Sequence, residues 1–171
     1  MKKLQDKIVL ITGGAGGIGA GMAKAMAKEG ATVVVVDLNE EAGRKVEATL
    51  QEFSPNSMFI QFDLTKHEEL KGLVEKVVKK FGKLNALVNN AHVSRQVPFM
   101  ETTKENLDLS FNTGFYPTFY LMQAAVPYLK ETKGNIINFA SGAGMKGQPT
   151  QAAYAAAKGG LKMLTRNICA E

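Results

Sequence analysis

The sequence predicts an α/β protein, a doubly wound parallel sheet with helices on both faces. Short β-branched runs alternate with amphipathic segments, a glycine-rich turn joins the first run to the first helix, and an acidic residue closes the second run. Such alternation gives βαβ units with right-handed crossovers, and buried parallel strands read as nearly continuous apolar runs. At 171 residues, 45% apolar and 22% charged, the chain suits one soluble globular domain over residues 1–171.

Strands are predicted at Ile8–Thr12, Thr32–Asp37, 57–62, 84–89 and 135–139, where β-branched and aromatic residues cluster. Helices are predicted at 17–29, 40–53, 66–81, 103–130 and 152–170. Gly30 and Gly82 fit helix C-termini, and Thr65 with Glu68 reads as a capping box for the third helix. Pro117 and Pro127 are expected to kink or divide the long fourth helical region. Met22 with Met26 and Phe115 with Phe119 have helical spacing and read as core, and His67 reads as solvated.

The formal charge is +5, with lysines spread from Lys2 to Lys162. The loose cluster Lys76, Lys79, Lys80 and Lys83 reads as a solvated helix face, so no nucleic-acid partner is expected. The single cysteine, Cys169, allows no internal disulfide and no metal-site spacing, and it suits a reducing cytoplasm. No apolar run is long enough to span a membrane. The expected location is cytoplasmic, with no membrane partner and no metal.

Directly after the first strand comes Thr12-Gly-Gly-Ala-Gly-Gly-Ile-Gly19, leading into a helix. Glycines let the chain turn sharply and bring backbone N–H groups close to a pyrophosphate, while the helix N-terminus adds a favourable dipole. Asp37 closes the second strand about twenty residues on, the spacing of a dinucleotide-binding Rossmann-type unit. Asp37 can accept hydrogen bonds from the adenosine ribose, and its charge repels a 2′-phosphate. Leu38 follows it and no basic residue lies between Gly13 and Gly19, so NAD(H) is expected rather than NADP(H).

Near the other end, Tyr154 and Lys158 stand four apart on a predicted helix and share a face. A cation beside a phenol favours the phenolate, which equips a tyrosine to move protons. The spacing alone also suits a core tyrosine and a surface lysine; the glycine turn and Ser141, just after the fifth strand, favour the chemical reading. The carboxyl ends of strands are where open α/β sheets bind ligands.

This ordered set resembles the short-chain dehydrogenase/reductase family, in its group with a Thr-Gly-x-x-x-Gly-x-Gly turn, along residues 7–171. Thr12, Gly13, Gly17 and Gly19 match the turn. Asp63, followed by Leu64, matches the family's adenine-contacting aspartate. Asn89-Asn90-Ala91 matches the segment after the fourth strand that supports the sheet and borders the cofactor. Asn112, Ser141, Tyr154 and Lys158 match the catalytic tetrad. The resemblance implies that NAD(H) is held by Gly13, Gly17, Ile18, Gly19, Asp37, Leu38, Asp63, Leu64, Asn90 and Ala91, with Tyr154 and Lys158 reaching its nicotinamide end. It implies a small-molecule secondary alcohol or ketone as substrate, held by Ser141. Tyr154 is then general acid or base, Lys158 grips the nicotinamide ribose, and Asn112 holds a water linking Lys158 to solvent. It also implies a homo-oligomer, dimer or tetramer, built on the helices from Thr103 and Ala152.

Two departures stand out. His92 occupies the usual glycine position, where it is expected at the pocket rim, with substrate recognition as the sharper alternative. Family members also continue with a sixth and a seventh strand and a substrate lid. The resemblance therefore implies that the final strands are missing, that the domain is incomplete at its C-terminus and that the fifth strand has an open edge. A cofactor-binding module without turnover is accordingly the alternative to a working dehydrogenase.

Overall fold

In the computed structural model, which describes residues 2–170, β1 (Ile8–Thr12), β2 (Thr32–Asp37), β3 (Met58–Gln61), β4 (Ala86–Asn89) and β5 (Asn135–Asn138) form one parallel sheet. Met1 and Glu171, the ends of the predicted domain, lie outside the described residues. The spatial order is β3-β2-β1-β4-β5, so the winding reverses between β1 and β4 and opens a crevice at the carboxyl ends of those strands. β1 is buried along its whole length and pairs with both β2 and β4.

Alternate residues of each strand face opposite layers. Leu10, Val34, Val36 and Leu87 pack with Leu73, Val74, Leu121 and Met122, which brings α3 (Leu70–Phe81), α5 (Tyr116–Thr132) and α6 (Ala152–Ile168) onto one face. Val9, Ile11, Val33 and Val35 pack with Ala23, Ala27 and Leu50, which brings α1 (Gly17–Lys28) and α2 (Glu40–Gln51) onto the other. α2 starts where Asn39 accepts the Ala42 N–H at 3.0 Å, with Glu40 and Glu41 against the positive end of the helix dipole. α3 ends at Gly82, which has φ of 75° and the left-handed conformation glycine takes readily.

The structure corrects several local expectations. Thr65 does not cap the third helix. Its N–H and hydroxyl both donate to Asp63, at 2.9 and 2.7 Å, and a short 3₁₀ turn, His67–Glu69, precedes α3. The region carrying Pro117 stays helical from α4 (Lys104–Ser110) through a π-helical turn, Phe111–Phe115, into α5. Pro117 sits in the first turn of α5, where a missing N–H is tolerated, and Pro127 lies inside α5. Met22 and Met26 do pack against the core, whereas Phe115 stands in a half-exposed aromatic group, with its ring centroid 5.7 Å from that of Phe111 and 5.9 Å from that of Tyr116. His67 is half-buried between Tyr116 and Tyr120, and its Nε2 lies 3.1 Å from the Asn112 carbonyl oxygen. β5 pairs with β4 alone among the described residues, and its Asn135 and Ile137 are exposed.

The layer carrying α2 has little slack. A Cβ on Gly43 would overlap the ring of Phe59, itself a buried residue of β3. Gly43→Ala is expected to lower the unfolding free energy by about 1–3 kcal/mol, the range for overpacking, as measured by urea denaturation.

Candidate active site

The glycine turn is clipped to β4 from beneath. The Asn90 amide donates to the carbonyl oxygens of Thr12 at 3.0 Å and Gly13 at 2.9 Å, while the Asn90 and Ala91 N–H groups donate to the Thr12 hydroxyl. Gly13 has φ of 63° and lies so near Ala91 that a Cβ on it would come within 2.8 Å of the Ala91 Cα. A Cβ on Gly19 would overlap the Gly13 carbonyl oxygen, so the start of α1 is seated on the turn itself. α1 begins with no side-chain cap and no acidic residue in its first turn, which leaves its N-terminal N–H groups and dipole available to an anion. Gly17 and Ile18 are exposed on this rim.

The carboxylate of Asp37 accepts the Ala15 N–H at 3.1 Å with one oxygen and the Asn39 N–H at 3.1 Å with the other. It thus fixes the end of β2 against the turn, beside the exposed Leu38. Gly13, Asp37, Leu38, Asp63, Asn90 and Ala91 line one cleft of about 280 Å³, which Leu64 also borders. The N–H and hydroxyl of Thr65 hold the Asp63 carboxyl below its ordinary value, with Lys66 and His67 adding to the effect. The cradle fits a dinucleotide: glycines where a side chain would collide, an open helix N-terminus and a carboxylate at the ribose distance along the chain.

Further along the crevice, Ser141, Tyr154 and His92 line a second cavity of about 430 Å³. Ser141 ends the chain's run beyond β5, and its hydroxyl accepts the Ala143 N–H at 3.2 Å, leaving its own proton free to donate. Tyr154 projects from the first turn of α6. One turn on, Lys158 is 3% exposed, and its ammonium donates to the Phe139 carbonyl at 2.5 Å and lies 5.7 Å from the centre of the Tyr154 ring. Burial pushes the Lys158 ammonium down to about 8, even with that carbonyl favouring the charged form.

Asn112 is the predicted residue that the structure ties in least. It lies in the π-helical turn packed against α6, its carbonyl faces His67, and its side chain makes no hydrogen bond among the described residues. The π-turn explains why helical register through this region was not readable from spacing.

His92 is not in a left-handed conformation, so this position needs no glycine backbone. Its ring meets the Tyr154 ring edge-on, with centroids 4.8 Å apart, and its Nε2 lies 2.8 Å from the Ser110 hydroxyl oxygen. Its Nδ1 is buried without a partner, beside Gly114. Burial, with the Lys158 charge adding to it, pushes the His92 imidazole down to about 4. His92 thus borders the cavity of Ser141 and Tyr154 with Nε2 engaged by Ser110 and Nδ1 buried against Gly114.

Sequence reasoning missed several contributors. Ser94, Arg95, Gln96, Gln148 and Gln151 complete the walls of the larger cavity, all of them polar. A half-buried relay crosses the sheet end: Asn89 donates to Asn138 at 2.8 Å and Asn138 to Thr165 at 2.9 Å, locking β4, β5 and α6 together. The second asparagine of the 135–138 strand was the one available signal, since asparagine is uncommon in strands.

A family model described as short chain dehydrogenase matches residues 7–171. The chain is 41% identical over 173 residues to a 12alpha-hydroxysteroid dehydrogenase of Clostridium sp., covering 96% of this chain and 67% of that protein. It is 36% identical over 164 residues to an L-fucose dehydrogenase of Bos taurus, covering 95% of this chain and 59% of that one. A crystal structure of an NAD+-bound xylitol dehydrogenase superposes with a TM-score of 0.93 at 32% identity, covering 98% of this chain and 65% of that one. The chain thus spans about two thirds or less of the length of these proteins.

The displaced His92 predicts an acid limb in stability. Between its ordinary value of 6.5 and about 4, the unfolded chain binds a proton that the folded chain does not, so stability falls as pH falls through that window. Denaturation of native protein and His92→Phe at a series of pH values is expected to show the native protein losing stability relative to the variant below pH 6.5, with a constant difference above it.

Proposed function

The chain belongs to the short-chain dehydrogenase family, and from that premise we propose that it performs NAD(H)-dependent interconversion of a secondary alcohol and a ketone. The observation that carries this reading is that Tyr154 and Ser141 line one cavity, with the buried Lys158 ammonium beside the tyrosine ring. Ser141, one of whose lone pairs accepts the Ala143 N–H, donates its proton to the substrate oxygen. Tyr154 gives a proton to that oxygen in reduction or takes one from it in oxidation, and Lys158 supplies a positive charge in a place shielded from water. Asn112 serves in this reading as the link from Lys158 toward solvent.

The nicotinamide cofactor, when bound, supplies or accepts the hydride. Gly13, Gly17, Ile18 and Gly19 would hold its pyrophosphate, Asp37 and Leu38 its adenosine ribose, Asp63 and Leu64 its adenine, and Asn90 and Ala91 the approach to the nicotinamide. The fixed negative charge of Asp37 favours NAD(H), and the likeness to an NAD+-bound xylitol dehydrogenase supports the same preference. The polar walls suit a small hydroxylated substrate. Assembly as a homo-oligomer is supported by the exposed Tyr116 and Tyr120 on α5. A cytoplasmic location agrees with the lone free Cys169.

Two measurements test this reading. Fluorescence titration is expected to show tighter binding of NADH than of NADPH, and the reverse order refutes the role of Asp37. In an assay over a panel of alcohols and ketones, Tyr154→Phe is expected to keep cofactor binding and lose about 100-fold or more in turnover. Cofactor binding with no turnover by the native chain would favour a binding module instead, a reading prompted by its span of 67% and 59% of two dehydrogenase relatives.

A further inference from the structure

His92 sits where three elements meet, and only one of its two ring nitrogens has a hydrogen-bond partner. The Ser110 hydroxyl donates to the Ala153 carbonyl at 3.2 Å, and a hydroxyl has one proton to give. The contact at 2.8 Å between Ser110 and His92 therefore has the imidazole Nε2–H as donor, which leaves Nδ1 as a bare acceptor. That nitrogen is buried and unpartnered, an arrangement that ordinarily destabilises a fold and calls for a reason. The ring also stands T-shaped against that of Tyr154, with centroids 4.8 Å apart.

Room for the imidazole is made at a particular place. A Cβ on Gly114, in the π-helical turn, would overlap the His92 ring at Nδ1. The same loop is stitched to that turn on its next residue, where the Val93 N–H donates to the Thr113 hydroxyl at 3.0 Å. Ala153 immediately precedes Tyr154 in α6, so the route from His92 through Ser110 ends on the backbone that carries the phenol.

We propose that His92 is a positioning residue for Tyr154: it braces the phenol ring edge-on and, through Ser110, anchors the first turn of α6. The proposal rests on the assignment of Tyr154 as the proton-transfer group. Displacing a reacting group by about 1 Å can lower a rate about 100-fold, so a brace on this ring has kinetic weight. The two halves of the brace are separable. His92→Phe keeps a ring against Tyr154 and loses the donor; His92→Gln keeps a donor near the Nε2 position and loses the ring; His92→Gly loses both.

Steady-state kinetics on these variants, beside Tyr154→Phe, is expected to give His92→Gly a kcat lower by about tenfold or more, with NAD affinity changed less than about twofold. His92→Phe and His92→Gln are each expected to recover part of the loss. In parallel, NMR of protein with labelled tyrosines, the Tyr154 signals being identified by their loss in Tyr154→Phe, is expected to show those signals displaced by the His92 ring current in the native protein and released in His92→Gly. Gly114→Ala is expected to disturb the same signals with His92 present and to leave them unmoved in the His92→Gly background, a non-additive pair. Tyr154 signals that are the same in native and His92→Gly proteins would overturn the proposal, as would an unchanged kcat in His92→Gly where Tyr154→Phe is inactive. If the native protein turns over no alcohol, the functional reading fails, and the NMR comparison still decides whether His92 positions Tyr154.

Discussion

The Lys158 ammonium is held on the Phe139 carbonyl at 2.5 Å, almost out of contact with water. A buried charge is tolerated only with a hydrogen-bonding partner, and here the partner belongs to the segment leaving β5. α6 is therefore pinned across the carboxyl end of the sheet. Gly144 permits the close fit on the other side, since a Cβ there would come within 2.7 Å of the Gly159 nitrogen. The half-buried Asn89, Asn138 and Thr165 relay repeats the connection further along α6. Tyr154 and Ser141 share a cavity because α6 and the β5 exit are fixed to one another in this way.

The nucleotide end obeys a different constraint, one of closeness rather than charge. Gly13, Gly19 and Asn90 approach until no side-chain atom fits between them, and the amide of Asn90 donates to two carbonyls at the start of the turn. Asp37 then joins β2 to the same turn through the Ala15 N–H. Its carboxylate orders the loop as well as offering charge to a ribose. The two ends meet at β4, whose exit carries Asn90, Ala91 and His92 in succession.

Legibility in the sequence followed how local each signal was. β1 and β2 were read to the residue because long β-branched runs bounded by glycine or acid have few other folds available. β3 and β4 were read too long, at 57–62 and 84–89, because Ser57 and Leu84 are buried for reasons other than strand pairing. The Thr65 and Glu68 pattern reads as a capping box, yet Asp63, two residues before, takes the same hydroxyl. His67 reads as solvated because nothing local reveals that Tyr116, Tyr120 and the Asn112 carbonyl close over it.

By itself, the sequence determined the parallel α/β architecture, the glycine turn with Asp37 and the pairing of Tyr154 with Lys158, because each is written in spacing along one element or across one βαβ unit. The tertiary structure decided the remainder. It turned Lys158 onto Phe139, set a π-helical turn at Asn112, assembled polar walls from Ser94 to Gln96 with Gln148 and Gln151, and placed His92 between Ser110, Gly114 and Tyr154. Most of these are meetings between groups far apart in the chain. Hydrophobic periodicity says which face of an element is buried, and it carries no record of which partner waits there.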